Sequence, residues 1–200
     1  MTSFKETTLT HFLDDLASAA ATPGGGCASA LAAALAASLV AMVARHADTL
    51  DDVAAEADRL RRELEELVDA DAVAFDQVMA AFRLPKETEE QKAERSEAIQ
   101  AGYRSAVEPP LRVCADARRV LELAVVAAER GKPSAASDAG VGALLAASAL
   151  DGAAMNVQIN LVSIKDGEFR ASRAATLGEL RDGAGELREK ALARVRAELG

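Results

Sequence analysis

Tryptophan is missing from this 200-residue chain, tyrosine occurs once and phenylalanine five times. Hydrophobic residues still make up 50% of it, so the core has to be built from alanine, leucine and valine. Such a core suits close helix packing, whereas a sandwich of sheets draws on more β-branched and aromatic side chains. No stretch alternates apolar and polar residues for long enough to read as a strand, and no repeat is visible. Two histidines, His11 and His46, and two distant cysteines, Cys27 and Cys114, supply little for a metal and no disulfide spacing. No Glu-x-x-His pair, Ser-His-Asp arrangement, Walker loop or dinucleotide fingerprint occurs, so neither a metal nor a covalently bound cofactor is expected. Positive charge is also short, and the net charge of −9 argues against nucleic acid or an anionic membrane as the main partner. The N-terminus lacks a basic region followed by an apolar one, so no signal peptide is read and a cytoplasmic location is expected.

What is present is organised around Thr22-Pro23-Gly24-Gly25-Gly26-Cys27 and the uncharged alanine-rich run that follows to Ala44. Proline and three glycines interrupt regular structure, and alanine then favours a helix. Free N–H groups at such a helix start can meet a ligand bearing carbonyl oxygens or negative charge. A plain flexible turn before a buried helix is the competing reading. Residues 27–44 are long enough to span a bilayer, but their alanines and serines and the lack of a basic flank favour burial in a bundle.

Around this centre the pattern predicts a short helix over 9–19 and a long one over 50–82. The second has an apolar stripe of Leu60, Leu64, Leu67, Ala74, Phe75, Val78 and Phe82. Asp71 falls on that stripe, while Asp69 and Asp76 fall beside it and read as solvated. A carboxylate facing a core is either paired with an arginine or kept for proton transfer. Pro85 ends this helix. A charged helix over 87–106 follows, with Thr88 and Gln91 spaced as a capping box and Pro109-Pro110 expected to break it. Helices over 111–130 and from 139 to about 164 come next, the latter capped by Ser137 or Asp138. Ser148, Gly152, Asn156 and Asn160 recur every four residues along one side of it. The two asparagines suit either reading a ligand or bonding between close helices. One charged helix, from about 171 to 199 and weakened by Gly178, Gly183 and Gly185, closes the chain.

Five pieces in order resemble the cyclodeaminase/cyclohydrolase family of folate enzymes. They are TPGGG with its alanine-rich helix, DADAVAF with RLPK after it, AERSEAIQAGYRSAVEPPL, SDAGVGALLAASALDGAAMNVQINL, and KDGEF. The resemblance covers nearly the whole chain as a single domain, 1–200. It implies an all-α bundle of long antiparallel helices, forming a homodimer with a folate cleft near the subunit interface. It implies that Asp71 is the catalytic proton acceptor. Pro23, Gly24, Gly25, Gly26, Lys86, Ser137, Asp138, Asn156 and Asn160 match family motif positions and, with Cys27 beside the glycines, are expected to bind substrate. Two positions depart from the pattern: Cys27 stands where serine is usual, and Gly131-Lys132 where Gly-Asn is common. The implied activity is hydrolysis of 5,10-methenyltetrahydrofolate to 10-formyltetrahydrofolate. Release of ammonia from 5-formiminotetrahydrofolate stays open beside it, as does a non-catalytic helical dimer that binds folate or a protein.

Overall fold

The structure, a computed structural model, describes residues 3–199. Its helices are α1 (Leu9–Leu16), α2 (Gly25–Arg45), α3 (Asp51–Phe82), α4 (Glu89–Arg130), α5 (Ala136–Val162), α6 (Gly167–Arg181) and α7 (Ala184–Leu199). A 3-10 turn, Pro133–Ala135, leads into α5. Among the described residues no strand occurs, and the expected all-α fold is what is found.

The body is a four-helix arrangement in which α2 packs on α3, α3 on α4, α4 on α5, and α5 back on α2. Helices α6 and α7 lie on the α4–α5 side. The α2–α5 contact is made by small residues. Gly142 rests against the Ala36 carbonyl and Val40, and Gly152 faces Ser29. Low numbers of one helix meet high numbers of the other, so the pair is antiparallel. Both helices are long and apolar enough to cross a membrane by composition, yet here they form the middle of the bundle. Alanines at 30, 33, 36 and 37 are wholly buried, and methyl-sized side chains let the two backbones come this close.

Several boundaries differ from the sequence expectation. Residues 87–130 do not form two helices: Pro109 and Pro110 sit inside a continuous α4. A helix-interior proline costs about 3 kcal/mol through its missing N–H and its clash with the preceding turn. The Ala106 carbonyl would normally accept from residue 110, or from 109 in a tighter turn, and proline occupies both places. Ala106 is buried. Asn160 on α5 replaces the lost donor, its Nδ2 reaching the Ala106 oxygen at 2.8 Å. Packing from both sides thus carries the helix through a pair of residues that would end an isolated one.

Neither Ser137 nor Asp138 caps α5, which starts earlier, after Ala135, with no side-chain cap. The closing segment is two helices rather than one, because Gly183 adopts φ +66° between them. Such a backbone suits glycine and ends a helix. Asp69, expected in solvent, instead accepts from the Phe4 N–H and the Ser3 hydroxyl, both at 2.6 Å, and ties the N-terminal segment to α3. The Thr88–Gln91 capping box forms as expected.

Candidate active site

The third residue of α2, Cys27, still has an N–H that the helix cannot satisfy, because the cap residue Gly24 has no side chain. The missing acceptor comes from α3. The Asp71 carboxylate accepts from the Cys27 backbone N–H and from its thiol, with Sγ 3.5 Å from Oδ2. The carboxylate lies so close over Gly26 that a Cβ there would overlap it. The glycine triplet therefore serves close approach: α2 starts against a carboxylate from another helix. The positive end of the α2 dipole favours the ionised form of that group.

Burial acts the other way. It is the largest influence on Asp71 and raises its pKa above the usual 3.8, while the thiol and N–H of Cys27 oppose the rise. Burial also pushes the Cys27 thiol up to about 12, with the neighbouring carboxylate adding to it. The thiol therefore stays protonated and acts as a hydrogen-bond donor. Among the described residues Asp71 forms no salt bridge, so the arginine-paired alternative does not hold.

Asp71 opens onto a cleft of about 380 Å³, a volume in the range of small-molecule sites. Its polar end is formed by Gly24, Gly25, Gly26, Asp71, Asn156 and Asn160. The other end is apolar, with Phe75, Val78, Met79, Phe82 and Tyr103 on its walls. Phe75 and Phe82 were expected in the core but are 37% and 39% exposed, because the α3 stripe faces a cavity there. Tyr103 stands edge-on to Phe82 at 6.2 Å. Arg95 caps the end of α3 by donating to the Phe82 carbonyl and lies over its ring at 5.5 Å. Nothing in the sequence pattern marked Met79, Tyr103 or Ile159 as cleft residues. The chain's one tyrosine, in a sequence so poor in aromatics, was the available signal.

The asparagine stripe serves bonding between close helices, and both asparagines also line the cleft. Asn156 lies beside Gly25, and its Nδ2 donates to the Gly152 carbonyl at 2.9 Å. Asn160 bridges to α4 and also lines the cleft. Ser148, on the same stripe, faces outward. Pro23 and Cys27 are buried just behind the glycines rather than on the cleft wall, and the Thr22–Pro23 peptide is cis. Lys86 is exposed in the α3–α4 turn, four residues past Phe82 and outside the lining. Ser137 and Asp138 are not brought to the cleft. They lie at the opposite end of α5 from Asn156, roughly 28 Å away at 1.5 Å per residue.

A larger cavity of about 630 Å³ lies between α5, α6 and α7, with Asp151, Arg181, Asp182 and Arg188 on its walls. Arg181 is already paired with Asp151 at 3.2 Å, and no buried acid or base opens into the space. Among the described residues no three of His, Cys, Asp and Glu are grouped closely enough to hold a metal ion.

The sequence profile of the formiminotransferase-cyclodeaminase family matches residues 8–179. The chain is 39% identical to the methenyltetrahydrofolate cyclohydrolase of Methylorubrum extorquens, over 96% of this chain and 97% of that one. It is 34% identical to the formimidoyltransferase-cyclodeaminases of Gallus gallus and Mus musculus, over 80% and 84% of this chain. It spans about a third of those two longer proteins, 31% and 33% of their lengths. The crystal structure of formiminotetrahydrofolate cyclodeaminase from Thermotoga maritima superposes with a TM-score of 0.83 at 25% identity, covering 98% of this chain and 99% of that one. With a half-buried carboxylate at a glycine-rich helix start, an all-α bundle of the same shape and a match along most of its length, this chain belongs to the formiminotransferase-cyclodeaminase family.

Proposed function

We propose that this chain hydrolyses 5,10-methenyltetrahydrofolate to 10-formyltetrahydrofolate, with Asp71 as the general base. The observation that carries the reading is the Asp71 carboxylate, half-buried beside the start of α2 and open to a cleft of ligand size. The substrate's bridging carbon belongs to an amidinium cation, which a carboxylate attracts. Asp71 takes a proton from water as the oxygen bonds to that carbon. The resulting tetrahedral centre loses its bond to N5, which gains a proton, and the formyl group remains on N10. A base so placed contributes about 10²–10⁴-fold. The apolar wall of Phe75, Met79 and Phe82 would hold the ring system and limit water. Likeness to a full-length cyclohydrolase supports this reaction over its alternative.

The second reading is cyclodeamination, favoured by the Thermotoga maritima structure, whose fold this chain shares from end to end. There N10 of 5-formiminotetrahydrofolate attacks the formimino carbon, and Asp71 takes the N10 proton and passes it to the formimino nitrogen. That nitrogen, with a second proton from solvent, leaves as ammonia while the cationic 5,10-methenyl bridge forms. The absorbance band of 5,10-methenyltetrahydrofolate separates the two. Enzyme-dependent decay of the band supports hydrolysis, and its appearance from the formimino compound supports deamination. Neither signal, with thermal stabilisation by tetrahydrofolate, would point to a binding module.

The active form is proposed to be a homodimer. Leu35 on α2 and Val141, Leu144, Met155, Ile159 and Val162 on α5 form an outward apolar face, with Met155, Ile159 and Val162 exposed at 67%, 68% and 78%. Ile159 also borders the cleft, which puts the face beside the site. Ser137 and Asp138 would reach a site of this kind only from a second copy. Lys86 stays the candidate for an anionic glutamate tail, since its turn follows directly on the Phe82 wall.

A further inference from the structure

The bond between Asn160 and Ala106 settles which way the Asn160 amide faces. The Ala106 oxygen is an acceptor, so the group 2.8 Å from it has to be the NH₂ end of Asn160. The demand arises from sequence on another helix. Pro109 and Pro110 remove both backbone donors that the Ala106 carbonyl could use within α4. Pro110 and Ala106 are buried, so the side chain of Asn160 is the donor on hand. The α5 segment carrying it is held at its end as well. Gln100 donates to the Ser163 carbonyl at 3.0 Å and accepts from the Lys165 N–H at 2.7 Å. Asn156 has a parallel arrangement, its NH₂ spent on the Gly152 carbonyl at 2.9 Å.

We infer that Pro110 is a positioning residue for ligand recognition: by orphaning the Ala106 carbonyl it locks the Asn160 amide, so that Oδ1 is presented to the cleft as a fixed hydrogen-bond acceptor. With Asn156 Oδ1 and the Asp71 carboxylate, the polar end of the cleft is then rich in acceptors. The ligand edge it fits is rich in N–H donors, as the amino-pyrimidine side of a reduced pterin is. This deepens the folate reading and rests on it for the ligand's identity. The lock between residues 110 and 160 stands without it.

The test is a double-mutant cycle of Pro110→Ala and Asn160→Ala, read by thermal unfolding and by KM and kcat for 5,10-methenyltetrahydrofolate. Pro110→Ala returns an N–H to the Ala106 carbonyl, so the helix should be kept or strengthened. KM should nonetheless rise about five- to tenfold, the scale of one hydrogen bond, with kcat changed much less. Asn160→Ala should lower the unfolding midpoint by a few degrees, roughly 2–4 °C per kcal/mol at this size. In the Pro110→Ala background that loss should shrink to half or less. Additive midpoints, or a parent-like KM in Pro110→Ala, would overturn the inference. Asn160→Asp keeps an acceptor on the cleft but removes the donor to the Ala106 carbonyl, so it should lower the unfolding midpoint at least as far as Asn160→Ala does; a parent-like midpoint there would also sink the inference. A parent protein inactive on the methenyl compound and not stabilised by tetrahydrofolate overturns the folate reading instead, and the unfolding midpoints still decide the lock.

Discussion

The Asp71 carboxylate, from the middle of α3, occupies the space over Gly26 that a side chain at that position would fill. One helix begins where another places an acid, and no residue but glycine leaves room. The contact links the stability of the α2 start to the reactivity of the acid.

Gly26→Ala forces Asp71 off the N-terminus of α2. The expected result is a folded protein weakened by about 1–3 kcal/mol, with activity reduced far more than stability. Circular dichroism melts and the methenyltetrahydrofolate assay on one preparation check it. Parent-like turnover would show that the carboxylate's seat is irrelevant.

Asp71→Asn keeps the shape and removes the base, so kcat should fall about 10²–10⁴-fold. The pH profile of the parent should have an acidic limb above the ordinary carboxylate range, since burial raises the Asp71 pKa and the base works only when ionised. Stability runs the opposite way. As pH rises past the usual 3.8 the unfolded chain releases this proton before the native one does, and the parent loses stability through that window. The unfolding midpoint of Asp71→Asn relative to the parent should therefore be higher at pH 7 than at pH 4.

Cys27→Ser exchanges a weak donor, its sulfur 3.5 Å from Oδ2, for a stronger one. A better hydrogen bond to the carboxylate favours its charged form, so the acidic limb of the pH–rate profile should move to lower pH. An unmoved limb would mean that the thiol contact does not tune the acid.

Both thiols are buried and pushed up to about 12, Cys27 and Cys114 alike. Neither should react with a disulfide reagent at pH 8 in the native protein, and both should react once it is unfolded. Fast labelling of one thiol in the native state would contradict this burial.

The outward face of α2 and α5 should hold two copies together. Leu144 is 45% exposed on that face and does not line the cleft. Leu144→Glu should shift the protein from twice the chain mass to the chain mass by light scattering, without unfolding it. A parent of single mass at micromolar concentration would rule the dimer out.

Much of the architecture could be read along the chain. The alanine-rich run, the three-four spacing of leucines on α3 and the capping box at Thr88 depend on near neighbours, and their helices begin where expected. Asp71 was visible as a carboxylate on an apolar stripe. The misread places were those where a distant residue decided. Pro109-Pro110 looks like a stop, and α4 runs on because α5 packs beside it and Asn160 supplies a donor to the carbonyl that Pro110 leaves unpaired. Ser137 and Asp138 have the chemistry of caps, but α5 gained an earlier turn from the 3-10 segment before it. Phe75 and Phe82 fit the core stripe, and only the separation of the surrounding helices turned that part of the stripe into a cavity wall.

The sequence by itself determined that this protein is a helical bundle with small-residue contacts at its centre and an acid on a face meant to be buried, because periodicity and side-chain size act over a few residues. Tertiary structure alone decided what that acid touches. The N-terminus of α2 and the middle of α3 are 44 residues apart at the Cys27–Asp71 contact, and hydrogen bonds across such a span follow from helix packing, which no local pattern encodes.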